Sequence, residues 1–358
     1  LPKNYKKILS GWLKEIHDWS ISRSLWWGHR IPVWYCQKCN TNHLVGKDKD
    51  MVISIEEPGK NCQTCGQKHW VQDEQVLDTW FSSGLWPMAT LGWPDETEEL
   101  KKYYPWDFET SAPEIKFLWI ARMIMLGLWF KDEIPFKNMF FHGMLRDLQG
   151  RKFSKSLGNG ISPYDLVAQW GVDATRMALY GYSIPGRDGR TSRQLMDERC
   201  KNFRNFGTKL RNIYRFIVEL QPKGLKNRHS GEDQNPILDS GVANAPQNDK
   251  IRPDDKKILE QLNKTIYDVT KNLEGFKLHL ATEALYEFIW HKLADVYIEK
   301  SKARRAEAQP TLEYVLKTSL ELLHPFMPFL TEDLWQKLPH EGKSIMLSSW
   351  PEAKFPQN

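Results

Sequence analysis

The sequence contains no apolar run long enough to span a bilayer, and its first residues lack the pattern of a secretory signal. Both absences argue against a membrane-embedded or exported chain, so the expectation is a soluble cytoplasmic protein with no membrane partner. Cysteine is scarce, five residues in 358, and no segment repeats another. Charge of neither sign dominates. A net charge of +5 permits nucleic-acid binding without demonstrating it. No His-x-Gly-His occurs anywhere in the sequence.

What is present is ordinary in bulk. Hydrophobic residues make up 41% and charged residues 27%, as in soluble globular proteins, and 358 residues suffice for two domains. The 16 tryptophans are unusually many, and core packing is the commoner reason for such an excess. Leu1-Pro2-Lys3-Asn4-Tyr5 reads as the interior of a longer chain, so a piece of a larger protein is expected.

Apolar spacing predicts a helix from Tyr5 to about Asp18, carried by the recurrence of Ile8, Leu9, Trp12, Leu13, Ile16 and Trp19. A polar, cysteine-bearing insert follows over residues 36–70, then strand-like and loop segments over 76–86. A second helix is predicted over 114–130, with Phe117, Ile120, Ile124 and Leu128 on one side. Met139-Phe140-Phe141 reads as a short buried strand. Residues 163–180 read as helical, with Pro163 in the first turn and Asp165 as an early acid. After about Ser192 the character changes. Phe203, Phe206, Leu210, Ile213, Ile217 and Leu220 follow a helical period. Residues 221–255 read as a polar loop or insertion. Two further apolar faces follow, Leu285, Phe288, Ile289, Val296 and Tyr297, then Leu312, Val315, Leu316, Leu320 and Leu323. The expected fold class is therefore α/β followed by an all-α helical bundle.

One loop carries the most chemistry. Lys152-Phe153-Ser154-Lys155-Ser156 places two ammonium groups and two hydroxyls within five residues, after the turn-prone Gln149-Gly150. Ammonium groups offset charge building on a triphosphate under attack, and hydroxyls donate further hydrogen bonds. A bare run of this kind is weak evidence, because such runs are usually solvated surface. Its flanks, Phe141-His142-Gly143-Met144-Leu145-Arg146-Asp147 before and Leu157-Gly158-Asn159 after, make it specific.

Cys36-x-x-Cys39 and Cys62-x-x-Cys65 form two thiol knuckles, each spaced so that both sulfurs face one tetrahedral ion. Gly66 suits the tight turn after the second pair. The pairs are slightly farther apart than in the usual ribbon, which a flexible tip would absorb. Disulfides are the rival reading, with no sign of secretion to favour them. Four thiolates leave no open position, so a zinc ion here is expected to be structural. His43 and His69 lie nearby and read as surface histidines. Cys200 reads as a packed, unreactive thiol.

The lysine loop resembles the lysine-loop signature of class I aminoacyl-tRNA synthetases, with Phe153 where Met is usual. Asp18-Trp19-Ser20-Ile21-Ser22-Arg23-Ser24-Leu25-Trp26-Trp27-Gly28-His29-Arg30-Ile31-Pro32 is similar to the valyl branch of that family. So are Leu77-Asp78-Thr79-Trp80-Phe81-Ser82-Ser83-Gly84-Leu85-Trp86-Pro87, Ala284-Leu285-Tyr286-Glu287-Phe288 and Leu323-His324-Pro325-Phe326-Met327-Pro328-Phe329. The resemblance covers nearly the whole chain. It implies the C-terminal half of a Rossmann-like catalytic domain over residues 1–192, with a zinc-ribbon-like insert over 36–70 and the lysine loop at 152–156. A helical anticodon-binding domain over 193–350 follows.

The activity it implies is a two-step ligation. ATP, with Mg²⁺, and valine give valyl-adenylate, and the valyl group then passes to valine tRNA. Lys155 and Lys152 are the expected catalytic groups, with Ser154 and Ser156 also on the triphosphate and His142 and Gly143 beside the adenosine. A strand-end turn is the other reading of Gly143. Trp27 and Trp80 are expected to wall the valine side chain. Arg204, Lys209, Arg211, Arg215, Lys300, Lys302, Arg304 and Arg305 are candidate phosphate contacts for tRNA, each individually also readable as solvated surface. Asp173 reads as a helix cap or ion-pair partner. The family's His-containing signature and editing insertion are missing, so this chain is expected to be a partial enzyme, inactive alone. A non-catalytic tRNA-binding or assembly protein, and an isoleucyl-like specificity, stand as alternatives. Gly84 and Ser20 replace a common Ala and Cys, and Lys116 falls in a usually apolar stretch.

Overall fold

The computed structural model describes residues 2–43, 49–154, 156–219 and 252–354. Lys155, Leu220, the tip at 44–48 and residues 221–251 of the expected insertion therefore lie outside the described residues. The chain divides into two compact units, Leu1–Phe141 and His142–Asn358. The expected functional division at 192/193 is a different boundary from this one.

The first unit opens with α1 (Asn4–Lys14), which ends short of Asp18. Its Trp12 stacks on Phe117 with ring centroids 5.0 Å apart, and Tyr5 packs on Phe141. β1 (Ser22–Arg23) follows. β2 (Val33–Cys36), β3 (Met51–Ile53) and β4 (Trp70–Gln72) form an antiparallel sheet with β2 at its centre. β5 (Val76–Leu77) returns to pair with β1.

The segment read as strand and loop over 76–86 is mostly helical: α2 (Thr79–Ser83) and α3 (Trp86–Ala89) follow β5 directly. The physical reason is local. The Asp78 carboxylate accepts a hydrogen bond from Trp80 N at 2.7 Å, capping α2, and Pro87 lies in the first turn of α3.

After α4 (Glu98–Tyr103), β6 (Trp106–Ser111) and β7 (Phe136–Phe141) pair in parallel, with Ser111 opposite Phe141. Parallel strands need a crossover, which the helical run from Pro113 through α5 (Ala121–Lys131) provides. Ile120 is buried as expected, but Leu128 is exposed. The covered face of α5 is Ala121, Arg122, Met123 and Gly127. Arg122 accounts for the rotation: its guanidinium lies 4.1 Å from the Trp19 ring and 5.3 Å from that of Trp12. Lys116, on the same run, extends to Pro113 O at 3.0 Å.

The second unit begins with β8 (Leu145–Arg146). The helix read over 163–180 is two helices, α6 (Pro163–Trp170) and α7 (Val172–Tyr180), broken at Gly171 with φ of +88°. β9 (Gly189–Arg190) pairs with β8 in parallel. α8 (Arg193–Tyr214), α9 (Pro253–Glu274), α10 (Leu278–Tyr286) with its π-helical continuation to Ile298, α11 (Glu299–Ser301), α12 (Arg305–Leu323) and α13 (Pro328–Trp335) complete the bundle.

α9 starts at Pro253, so the polar insertion ends before residue 255. Phe206, Leu210, Ile213, Ile217, Leu285, Phe288, Ile289 and all five expected α12 positions lie in one continuous core. Val296 is exposed and does not belong to it. Cys200 is fully buried in a smaller cluster with Leu166, Ala178 and Met196.

Candidate functional site

The four paired cysteines converge. One sulfur from each of Cys36, Cys39, Cys62 and Cys65 lies within 4.8 Å of the others, and Cys36 Sγ is 3.7 Å from Cys65 Sγ. A tetrahedral ion with zinc–sulfur bonds of about 2.3 Å requires sulfurs ~3.8 Å apart. The donor set therefore fits zinc.

Backbone turns make the knuckles. Asn40 N donates to Cys36 O at 2.8 Å and Gly66 N to Cys62 O at 2.8 Å, with Gly66 at φ of +70°. Burial and the neighbouring sulfurs push the Cys39 thiol up to about 12. A cation at the centre would supply the charge that holds such thiols ionised. His43 and His69 are exposed, and His43 stacks on the Tyr35 ring instead of joining the cluster.

The lysine loop is organised at its base by Asp147 and Asn159. Asp147 accepts from Arg151 N at 2.8 Å, Arg151 Nε at 2.7 Å and Asn159 Nδ2 at 3.0 Å. Asn159 also donates to Lys152 O at 3.2 Å and accepts from Ser154 N at 2.9 Å. Burial alone would raise the Asp147 carboxyl, but these hydrogen bonds and the Arg151 charge hold it at about 2, so it is ionised at neutral pH. The loop's entrance and exit are thereby tied together. Ser154 Oγ and Ser156 Oγ stand 3.1 Å apart, and Lys152 is exposed. Sequence reasoning passed over Asp147 and Asn159. The turn-forming Leu157-Gly158-Asn159 was the only available signal.

His142 and Gly143 follow β7. His142 Nδ1 is 2.9 Å from Gly143 O. Gly143 does permit a close backbone approach, but the approaching group is the chain itself: a Cβ there would lie 1.8 Å from Arg187 O. Asp188, next along, accepts from Met144 N at 2.9 Å and from Arg146 Nε at 2.5 Å.

The segments carrying Trp27 and Trp80 are knit together by the β1–β5 pairing and by an ion pair of 2.5 Å between Arg23 and Asp78. Trp80 is half-buried. Trp27 is 79% exposed and meets Trp26 edge-on at 5.8 Å. No ring contact joins Trp27 to Trp80 among the described residues.

The eight candidate cations divide. Arg304 forms a buried two-pronged ion pair with Asp255, and Arg305 donates to Phe216 O and lies over its ring. Both are bundle struts, which corrects their reading as phosphate contacts or solvated charges. Lys209, Arg211, Arg215, Lys300 and Lys302 pair with Asp295, Asp333, Glu219, Asp254 and Glu299 at the surface. Arg204 donates to Gln169 O. Exposed pairs are worth about 0–1 kcal/mol, so a phosphate can compete for these cations. Asp173 is a cap, as read, but of a different helix: its carboxylate accepts from Phe329 N and Leu330 N at the start of α13.

Comparison with known proteins bears on this arrangement. The family described as tRNA synthetases class I (I, L, M and V) matches residues 1–192, and the anticodon-binding domain of tRNA ligase matches residues 255–358. Valine--tRNA ligases of Carboxydothermus hydrogenoformans and Thermotoga maritima are each 44% identical over 99% of this chain, which spans 38% of their length. The fold is shared with the LeuRS of Agrobacterium radiobacter K84 in a ternary complex with tRNA and LeuAMS (TM-score 0.69, 20% identity, 99% of this chain and 46% of that one). It is shared also with the Mycobacterium tuberculosis methionyl-tRNA synthetase bound to methionyl-adenylate (TM-score 0.65, 20% identity, 93% and 57%). With a catalytic-family match over more than half of its residues, the chain belongs to the class I tRNA synthetases of the I, L, M and V group.

Proposed function

We propose that this chain is the carboxyl-side part of a valine--tRNA ligase, combining part of the catalytic domain (1–192) with an anticodon-binding bundle (193–350) in a cytoplasmic enzyme. The observation that carries this reading is the tied base of the lysine loop, where Asn159, itself bonded to Asp147, accepts from Ser154 N, Ser154 Oγ stands 3.1 Å from Ser156 Oγ, and Lys152 is exposed. The valine--tRNA ligase relatives at 44% identity supply the amino acid.

In the first step a valine carboxylate oxygen attacks the α-phosphorus of ATP, and the bond to the leaving pyrophosphate breaks. Negative charge gathers on that pyrophosphate. The ammonium groups of Lys152 and Lys155 offset it, and the hydroxyls of Ser154 and Ser156 donate to its oxygens. His142 and Gly143 lie at the adenosine, and Trp27 and Trp80 border the valine side chain. Magnesium carried with ATP would supply further screening of phosphate charge. In the second step the terminal ribose hydroxyl of valine tRNA attacks the acyl carbon and AMP leaves. Rate comes from positioning and charge stabilisation, with no covalent enzyme intermediate. Cys36, Cys39, Cys62 and Cys65 would hold a zinc ion whose role is to fix the insert's shape.

The test is valine-dependent ATP–pyrophosphate exchange by the full-length protein. Lys152→Ala and Lys155→Ala are each expected to lower the rate by about a hundredfold, as loss of one charge-stabilising donor typically does. Exchange that responds to isoleucine better than valine, or lysine variants with unchanged rates, would overturn the reading.

A further inference from the structure

A second source of positive charge stands beside the lysine loop, in a segment 34 or more residues farther along the chain. β8 and β9 pair in parallel with Arg146 opposite Arg190. On its other side Arg146 bridges to Lys152 in antiparallel register. Directly opposed cross-strand residues share a face of the sheet, so Arg190, Arg146 and Lys152 form a row of three cations. Like charges in direct register are destabilising unless an anion answers them.

One carboxylate answers part of this row. Asp188 pairs with Arg146 at 2.5 Å, and hydrogen bonds from Met144 N and Arg146 hold its pKa below the usual range. Arg190 has no carboxylate partner among the described residues and is exposed. Its backbone is nonetheless fixed, because Gly189 N donates to Met144 O at 3.0 Å and Thr191 N to Arg146 O at 2.9 Å. Its guanidinium reaches over Gly150, the turn that opens the lysine loop: a Cβ at Gly150 would lie 3.4 Å from Arg190 Nη2. An exposed guanidinium on a fixed backbone, with no carboxylate partner among the described residues and a second cation across the row, is suited to a phosphate, which it can grip by two parallel hydrogen bonds.

We propose that Arg190 is a further phosphate-contacting residue of the lysine-loop site, gripping a phosphate group together with Lys152. The inference rests on the reading of that loop as a triphosphate clamp and adds to it a cation from outside the loop. The phosphate chemistry is shared by two sources, the ATP triphosphate and the tRNA backbone.

The experiment measures full-length protein carrying Arg190→Ala, Arg190→Lys or Lys152→Ala. Arg190→Ala is expected to raise the ATP KM about tenfold in exchange without tRNA, the size of one charge-assisted hydrogen bond, with a smaller change in kcat. Arg190→Lys restores part of the loss, because the charge survives and the fork does not. A rise confined to the tRNA KM in aminoacylation supports the phosphate contact and assigns it to the tRNA backbone. Both KM values within twofold of the parent, in a variant with unchanged thermal unfolding, overturn the proposal. If Lys152→Ala impairs exchange in that case, only the Arg190 inference fails. If Lys152→Ala is also silent, the clamp reading itself fails.

Discussion

Asp147 accepts hydrogen bonds from both ends of the lysine loop, so one carboxylate fixes where the loop begins and where it leaves. The lysines can act on a phosphate only if that frame is rigid, since a catalytic group displaced by an ångström loses much of its effect. Asn159 is the complementary half, donating to Asp147 and Lys152 O while receiving Ser154 N. Asp147→Asn keeps the shape and removes the charge, and Asn159→Ala removes the strap. Each is expected to lower kcat for pyrophosphate exchange about tenfold or more while leaving thermal unfolding nearly unchanged, and the double variant should fall well short of the product of the two losses, because the residues act as a unit. Additive effects in kinetics of the four proteins would show that the two do not form one frame. At this scale the sequence made the loop's chemistry readable and left its support hidden. Residue type and spacing advertise lysines and hydroxyls. A hydrogen bond across twelve residues depends on how the intervening turn closes. Gly143 is the same case: the need for a close approach was legible, and its partner, Arg187 O, lies 44 residues away.

At the scale of elements, periodicity located most helices and missed how they end. Gly171 divides α6 from α7, and Arg122 turns α5 so that Leu128 faces out. Neither follows from an apolar repeat. The zinc-type insert was more legible, because two C-x-x-C knuckles carry their geometry in their spacing, and β2 and β4 deliver them to one point. That element has a small apolar cluster, Cys36, Cys62 and Trp70, with few large side chains to hold it. A module of this size generally depends on a metal or disulfides for stability. No disulfide joins these cysteines. We therefore expect one equivalent of zinc in purified protein by elemental analysis. Chelation or Cys62→Ser should release it and expose the insert to proteolysis, with the helical unit still folded. A zinc-free preparation whose insert resists protease equally well would refute the assignment.

Across the whole molecule, the helical unit carries one large continuous core and a smaller cluster, whereas the first unit has two small clusters among the described residues. The lysine loop falls in the helical unit. α7, which follows the loop, grips the α12–α13 junction: Asp173 caps α13, and Arg176 donates to Pro325 O and Phe326 O, the carbonyls just past α12. Loop and bundle are thus parts of one body, and this was not legible in the sequence because the contact joins residues about 150 apart. The first unit is different. Its parallel pair β6–β7 has no third strand among the described residues, and Trp26, Trp27 and Trp129 are widely exposed. Parallel strands occur almost only in larger sheets covered on both faces. The chain also spans 38% of the length of its valine--tRNA ligase relatives. On the proposed function, a polypeptide of these 358 residues alone is expected to separate tRNA binding from amino-acid activation. It should bind valine tRNA, weakly and with strong salt dependence, because the bundle has its own core and its surface cations are held only by exposed ion pairs. It should give no valine-dependent pyrophosphate exchange, because these residues match only 38% of the length of the valine--tRNA ligase relatives and contain no His-x-Gly-His. A gel-shift assay and an exchange assay on the same preparation decide the matter. Robust exchange would mean that these 358 residues already contain a full activation site, and failure to bind tRNA at low salt would remove the bundle's proposed role.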